Sequence, residues 1–232
     1  MALESFHLKF ADAAALVFFV AVWVLFAFAA SGRLSRRTTL TQAMNRQREE
    51  WMRTMARREL RMIDTGIMAG LQQGTAFFAS TSIFAIGGCV ALLGASDQVL
   101  VVLGDLPFGA DTSRQEFEIK VLGLLVILSY SFFKFGWAYR LFNYCSILVG
   151  AVPVLKDENR DGHDTAKAIA RAARMNVLAG GHFNSGLRGI FFSLGYLGWF
   201  IGPAVFVATT IFVFIVLLRR QFFSAARAAV TD

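Results

Sequence analysis

Four stretches of the chain stay apolar long enough to cross a membrane. Ala13 to Ala30 carries no charge, and a second run, Gly66 to Gly94, is interrupted only by Gln72 and Gln73. The third, Ile119 to Phe142, holds Lys134 and Arg140 in its second half, and the fourth, Gly189 to Leu218, is uncharged throughout. About 20 apolar residues at 1.5 Å each cover a hydrocarbon core roughly 30 Å thick. The pattern predicts an all-α polytopic membrane protein, a single domain with transmembrane helices at about 11–31, 66–94, 119–142 and 189–218. Gly202-Pro203 falls inside the fourth run. Halves of about 15 residues would be too short to span comfortably, so the run is read as one long helix, tilted or kinked. The first run is read as a retained helix: Glu4, Lys9 and Asp12 give its leading segment a negative balance, where a cleavable signal is positive.

The polar segments between the runs are patterned as well. Leu40, Met44, Trp51, Met55 and Met62 recur at steps of 4, 7, 4 and 7, a helical stripe with Arg46, Arg53, Arg57 and Arg61 opposite. The segment after Pro153 predicts a second amphipathic helix, capped by Asp161 or Asp164 and stopped at Gly180-Gly181. Its small face is Ile169, Ala172, Ala173 and Gly180. Residues 32–65 and 143–186 thus form two amphipathic helical segments, while 95–118 is a shorter loop.

Composition adds an exclusion and an orientation. With 56% hydrophobic and 17% charged residues, a soluble domain, a disordered chain and a disulfide scaffold are set aside. The net charge of +7 is unevenly spread. Nine arginines lie between Arg33 and Arg61, and Lys156, Arg160, Lys167, Arg171 and Arg174 follow the third run; the loop 95–118 is acidic apart from Arg114. Positive residues stay on the cytoplasmic side, so 32–65 and 143–186 are expected to be cytoplasmic, with both termini outside, in the cell (inner) membrane. Arg219, Arg220 and Arg227 dissent from that arrangement. Orientation accounts for the basicity without nucleic acid; membrane lipids, anionic ones especially, are the expected partners.

Candidate chemistry is sparse. Gly66, Gly70 and Gly74 repeat the spacing that lets membrane helices approach closely, with Gln73 in the same stripe, and Gly198 and Gly202 continue the theme in the fourth run. Lys134 lies about two turns inside its span, where a lysine either snorkels to the headgroups or faces a partner. Its candidate neighbours at the same depth are Asp64, Gln73, Asn143, Asn184 and Arg188. With Arg140, this cluster is net positive, so any ligand there should be an anion or a lipid headgroup. Cys89 and Cys145 fall near opposite membrane faces and are expected to be free thiols. No metal-ligand set, nucleophile with base, phosphate loop or cofactor motif can be found.

Several strings occur in a telling order: Asn45-x-x-Arg48-x-x-Trp51, Arg61-Met-Ile followed by Ala79-Ser80-Thr81-Ser82, Gly186-Leu187-Arg188-Gly-Ile-Phe191-Phe192, then Trp199-x-x-Gly202-Pro203. Together they resemble the domain of unknown function 599 family, multi-pass membrane proteins of bacteria and plants. The resemblance implies a four-span membrane fold and no catalytic residue or cofactor. It directs attention to Asn45, Trp51, Arg61 and Arg188. Two readings follow, neither enzymatic. One is an oligomeric channel or transporter-like protein with an anion- or headgroup-binding inner vestibule. The other is a structural or accessory subunit, or a lipid-organising protein, working as a homo-oligomer or within a larger membrane complex.

Overall fold

The computed structural model describes residues 9–32, 37–104, 113–155 and 162–231. Arg33, Arg36, Lys156, Arg160 and the capping candidate Asp161 lie outside the described residues. The described chain is all helical: α1 (Phe10–Ala30), α2 (Leu40–Ala56), α3 (Met62–Gly94), α4 (Ser96–Gly104), α5 (Arg114–Ala151), α6 (Gly162–Tyr196), a 3-10 turn (Leu197–Phe200), α7 (Pro203–Phe222) and α8 (Ala225–Thr231). Four helices, α1, α3, α5 and that beginning at Pro203, are long and apolar enough to cross a membrane. The chain is a membrane protein.

The 38-residue α5 is the spine, about 57 Å long at 1.5 Å per residue. Buried residues recur along it at alternating steps of 4 and 3, from Phe117, Val121, Leu124 and Leu128 to Phe142, Cys145 and Val149. This is the spacing of a helix packed lengthwise at a shallow angle. Serving two neighbours, α5 takes α3 on one side and α6 on the other. Packing here rests on close fit, since lipid is as apolar as the core. Accordingly, glycines of α6 lie against α5: a Cβ on Gly186 would come within 2.6 Å of the Phe135 ring, and one on Gly189 would strike Ser131. The contact face of α3 is Met68, Leu71, Thr75, Phe78, Ser82, Ala85 and Cys89, again at steps of 3 and 4. Ser113 and Glu116 form a capping box at the start of α5, and Thr39 with Gln42 does so for α2.

The apolar run 189–218 is not one helix. Its first eight residues finish α6, and the chain reverses through the 3-10 turn and Gly202 before Pro203 opens α7 at a position that needs no backbone donor. α7 then returns antiparallel along α6: Thr209 Oγ1 donates to Gly195 O at 2.7 Å, and Gln221 Nε2 donates to Thr41 Oγ1 at 2.8 Å. Arg227 Nε reaches Thr38 O at 2.7 Å. The described chain therefore starts at one end of the bundle, where Trp199 Nε1 donates to Asp12 Oδ1 at 2.5 Å, and finishes at the other, beside α2. Hereafter the end holding α2 is called inner. The hairpin thus carries α8 to the end of the bundle opposite Asp12.

A second correction concerns α6, which runs unbroken through Gly180-Gly181 for 35 residues. Gly180 is a seat, not a stop: the Arg48 guanidinium lies where its Cβ would be. Cys89 and Cys145 are free and buried, as expected.

Candidate functional site

The predicted polar cluster separates into two sites at the inner end. In the first, Asp64 is fully buried near the start of α3. Its Oδ1 accepts from Trp51 Nε1 at 2.7 Å and from Arg58 Nη1 at 2.6 Å. Arg61 completes the knot by donating to Val149 O at 2.7 Å and Pro153 O at 3.2 Å. Val149 O, freed where the helical ladder of α5 stops, and Pro153 O just beyond the helix are thereby satisfied. These contacts tie α2, α3 and α5 together; both donors to Asp64 share its Oδ1, and Oδ2 is buried without a hydrogen-bond partner.

The second site is a polar cleft between the ends of α1 and α7, α2, and the middle of α6. One lobe of about 400 Å³ is lined by Asn45, Lys134, Asn184, Ser185 and Arg188; another of about 200 Å³ by Met44, Arg48, Leu187, Arg188 and Arg220. Ala30, Thr41, Asn184 and Arg188 line both. Arg48 receives only an uncharged acceptor, Asn45 Oδ1 at 3.2 Å, and Arg188 donates to Ser185 Oγ at 2.7 Å. Arg220 lies over the Phe191 ring at 5.2 Å and Lys134 over Tyr130 at 5.3 Å. Among the described residues, no carboxylate lines either lobe. Burial lowers the pKa of Arg48 from its ordinary value, the mark of a cation taken from water without an anion in exchange.

The remaining expectations sort themselves against these two sites. Lys134, Asn184 and Arg188 do come together, joined by Asn45. Trp51 and Arg61 belong with Asp64 in the knot. Arg140 points outward, donating from Nε to the Tyr144 hydroxyl at 2.6 Å. Gln73 is exposed; its neighbour Gln72 faces α5, donating to Asn143 Oδ1 at 2.8 Å and Ser146 Oγ at 3.0 Å. Gly66, Gly70 and Gly74 meet nothing within 4 Å, so within the chain they pack against no helix. Gly198 does pack, with Val205 O 3.0 Å from a would-be Cβ, whereas Gly202 has open space around it.

Sequence reasoning missed Arg48 as a site residue. The face of α2 turned toward α6 is Thr41, Asn45, Arg48, Met52 and Met55, offset from the Met/Trp stripe: Met44 is exposed and Met62 belongs to α3. Asn45 and Arg48 at i and i+3 were the available signal, because such residues share a helix face.

No curated protein and no solved structure matches the chain. The model of a family described as "Protein of unknown function, DUF599" matches residues 14–226, from within α1 to within α8, and the chain belongs to that family.

Proposed function

We propose that this is a multi-pass protein of the cell membrane whose inner-end cleft binds a phosphate-type anion at headgroup level. The observation carrying this reading is that Arg48 and Arg188 share a cleft that no carboxylate among the described residues lines. A guanidinium removed from water without a counter-charge costs several kcal/mol. A fold that retains two such groups is accounted for when a ligand supplies the anion, and Arg is suited to bidentate phosphate contacts.

Topology supports the reading. With the second half of α6 as a further traverse, the membrane is crossed five times and the N-terminal end is outside. Arg219, Arg220 and Arg227 then lie on the cytoplasmic side with the other basic residues, and the dissent of the four-span arrangement disappears. A cysteine placed by Ala229→Cys should react with an impermeant maleimide only from the cytoplasmic face. Reaction only from outside would reverse the assignment.

Headgroup binding is favoured over conduction through one chain. Between the Lys134–Arg188 layer and the Asp12–Lys120 layer, the described helices carry no charged side chain. The space is filled by Phe19, Phe192, Tyr196 and Phe206, with Trp23 stacked on Phe192 at 5.1 Å. A homo-oligomer is a second reading, favoured by the outward face of α3, where Gly66, Gly70 and Gly74 adjoin an exposed Gln73 amide in apolar surroundings. Oxidative cross-linking of Gly70→Cys in membranes tests it: a dimer band supports it and a monomer alone removes it.

The direct test of the cleft is thermal protection of the purified full chain by inorganic phosphate. The wild type should gain stability as phosphate rises, by the mass-action law for a ligand of the folded state, and Arg48→Gln/Arg188→Gln should not. Equal protection of both would overturn the assignment.

A further inference from the structure

The cleft does not end in protein. Its larger lobe shares Ala27 and Ser31 with a second space of about 790 Å³ between α1 and α5, and Tyr130, on the wall of that space, carries Lys134 above its ring. α1 leans on α7 rather than on α5, which leaves this groove between them. Its walls are apolar and aromatic, with Trp23, Val20, Val126 and Tyr130 among them. Val20 and Val126 are 52% and 65% exposed, so the groove is open along its side. From Leu16 to Ser31 it runs about 22 Å along α1 at 1.5 Å per residue. One leaflet of hydrocarbon is about 15 Å deep.

We infer that the groove and the cleft form one site for a single anionic phospholipid, its phosphate held by Lys134 and Arg188 and an acyl chain laid between α1 and α5. This rests on the anion reading of the cleft and names the anion's source. Charge complementarity selects the occupant. Bulk lipid could fill an apolar groove anywhere on the molecule, but this one opens at its inner mouth onto cations with no carboxylate among the described residues that line it. A free anion would use the cleft and leave the groove idle; a zwitterionic lipid would bring a cation into a cleft that already has four, Arg48, Lys134, Arg188 and Arg220. The open side lets the lipid enter from the bilayer, so no passage through the protein is needed.

The test uses the full chain in mild detergent and reads lipid retention by native mass spectrometry after exchange with long-chain phosphatidylglycerol, short-chain phosphatidylglycerol or long-chain phosphatidylcholine. Wild type should retain one long-chain phosphatidylglycerol and little of the other two. Val20→Trp/Val126→Trp, which fills the groove from exposed positions, should weaken retention by at least about tenfold, the loss of roughly two methylenes' burial. Inorganic phosphate should still protect that variant as it does the wild type. Retention unchanged in the filled groove, or phosphatidylcholine held as well as phosphatidylglycerol, would overturn the lipid site while leaving the anion cleft standing. Failure of phosphate to protect wild type would instead sink the cleft itself. Should the double variant fold poorly, the short-chain arm decides on wild type alone: equal retention of short and long chains means that the groove holds no tail.

Discussion

Arg58 and Arg48 stand ten residues apart around α2 and meet opposite surroundings. Arg58 ends on a buried carboxylate 2.6 Å away that also accepts from an indole, so its charge is matched within the chain. Arg48 ends over Gly180, beside Arg188 and Arg220, with an amide oxygen as acceptor. Both are arginines at the inner end of the bundle, and a bias of basic residues to one side would account for both equally well. What separates them is the account of counter-charges. A paired charge holds helices together; an unpaired one lowers stability and is retained for some other gain.

That contrast can be broken or sharpened by substitution. The largest effect is expected from Asp64→Ala, which removes two hydrogen bonds to a charged acceptor: unfolding stability should fall by about 3 kcal/mol. Phosphate protection per folded molecule should stay unchanged; a loss of binding would mean that knot and cleft are one unit. Trp51→Phe keeps the ring and deletes one hydrogen bond to a charged group, which costs about 1.5–3 kcal/mol, read as a lowered melting temperature with binding intact. Gly180→Ala works on the other region. Its new methyl group displaces the Arg48 guanidinium rather than backbone, so stability should change by about 1 kcal/mol or less while phosphate affinity drops about tenfold. A change confined to stability would show that Arg48 takes no part in binding.

Much of this was legible in the sequence, for identifiable reasons. Uncharged runs fixed the membrane class, and ordered short strings indicated the family. Lys134, Asn184 and Arg188 could be placed together because polar residues at one depth on neighbouring helices have few other partners. Three features were not legible. The run 189–218 is apolar throughout, and an apolar turn at the far end of a hairpin differs little in composition from a kink; only Gly202-Pro203 and the misplaced arginines hinted at reversal. The α3 glycines matched a close-approach pattern, yet α3 packs chiefly on α5, and the spaced series from Met68 to Cys89 took that contact, which turned Gln72 inward and Gln73 outward. Gly180-Gly181 looked like a helix stop, although glycine within a membrane-protein helix also serves to admit a neighbour's side chain.

The central claim is that Arg48 and Arg188 in the cleft are kept for a ligand and Arg58 in the knot for the fold. It is tested most directly by the melting temperature of Arg188→Gln against wild type in detergent, with and without inorganic phosphate. The account predicts that the variant melts no lower than wild type without phosphate, since an unpaired charge has been removed, and gains nothing when phosphate is added. A variant that melts several degrees lower without phosphate, yet is still protected by it, would contradict the account.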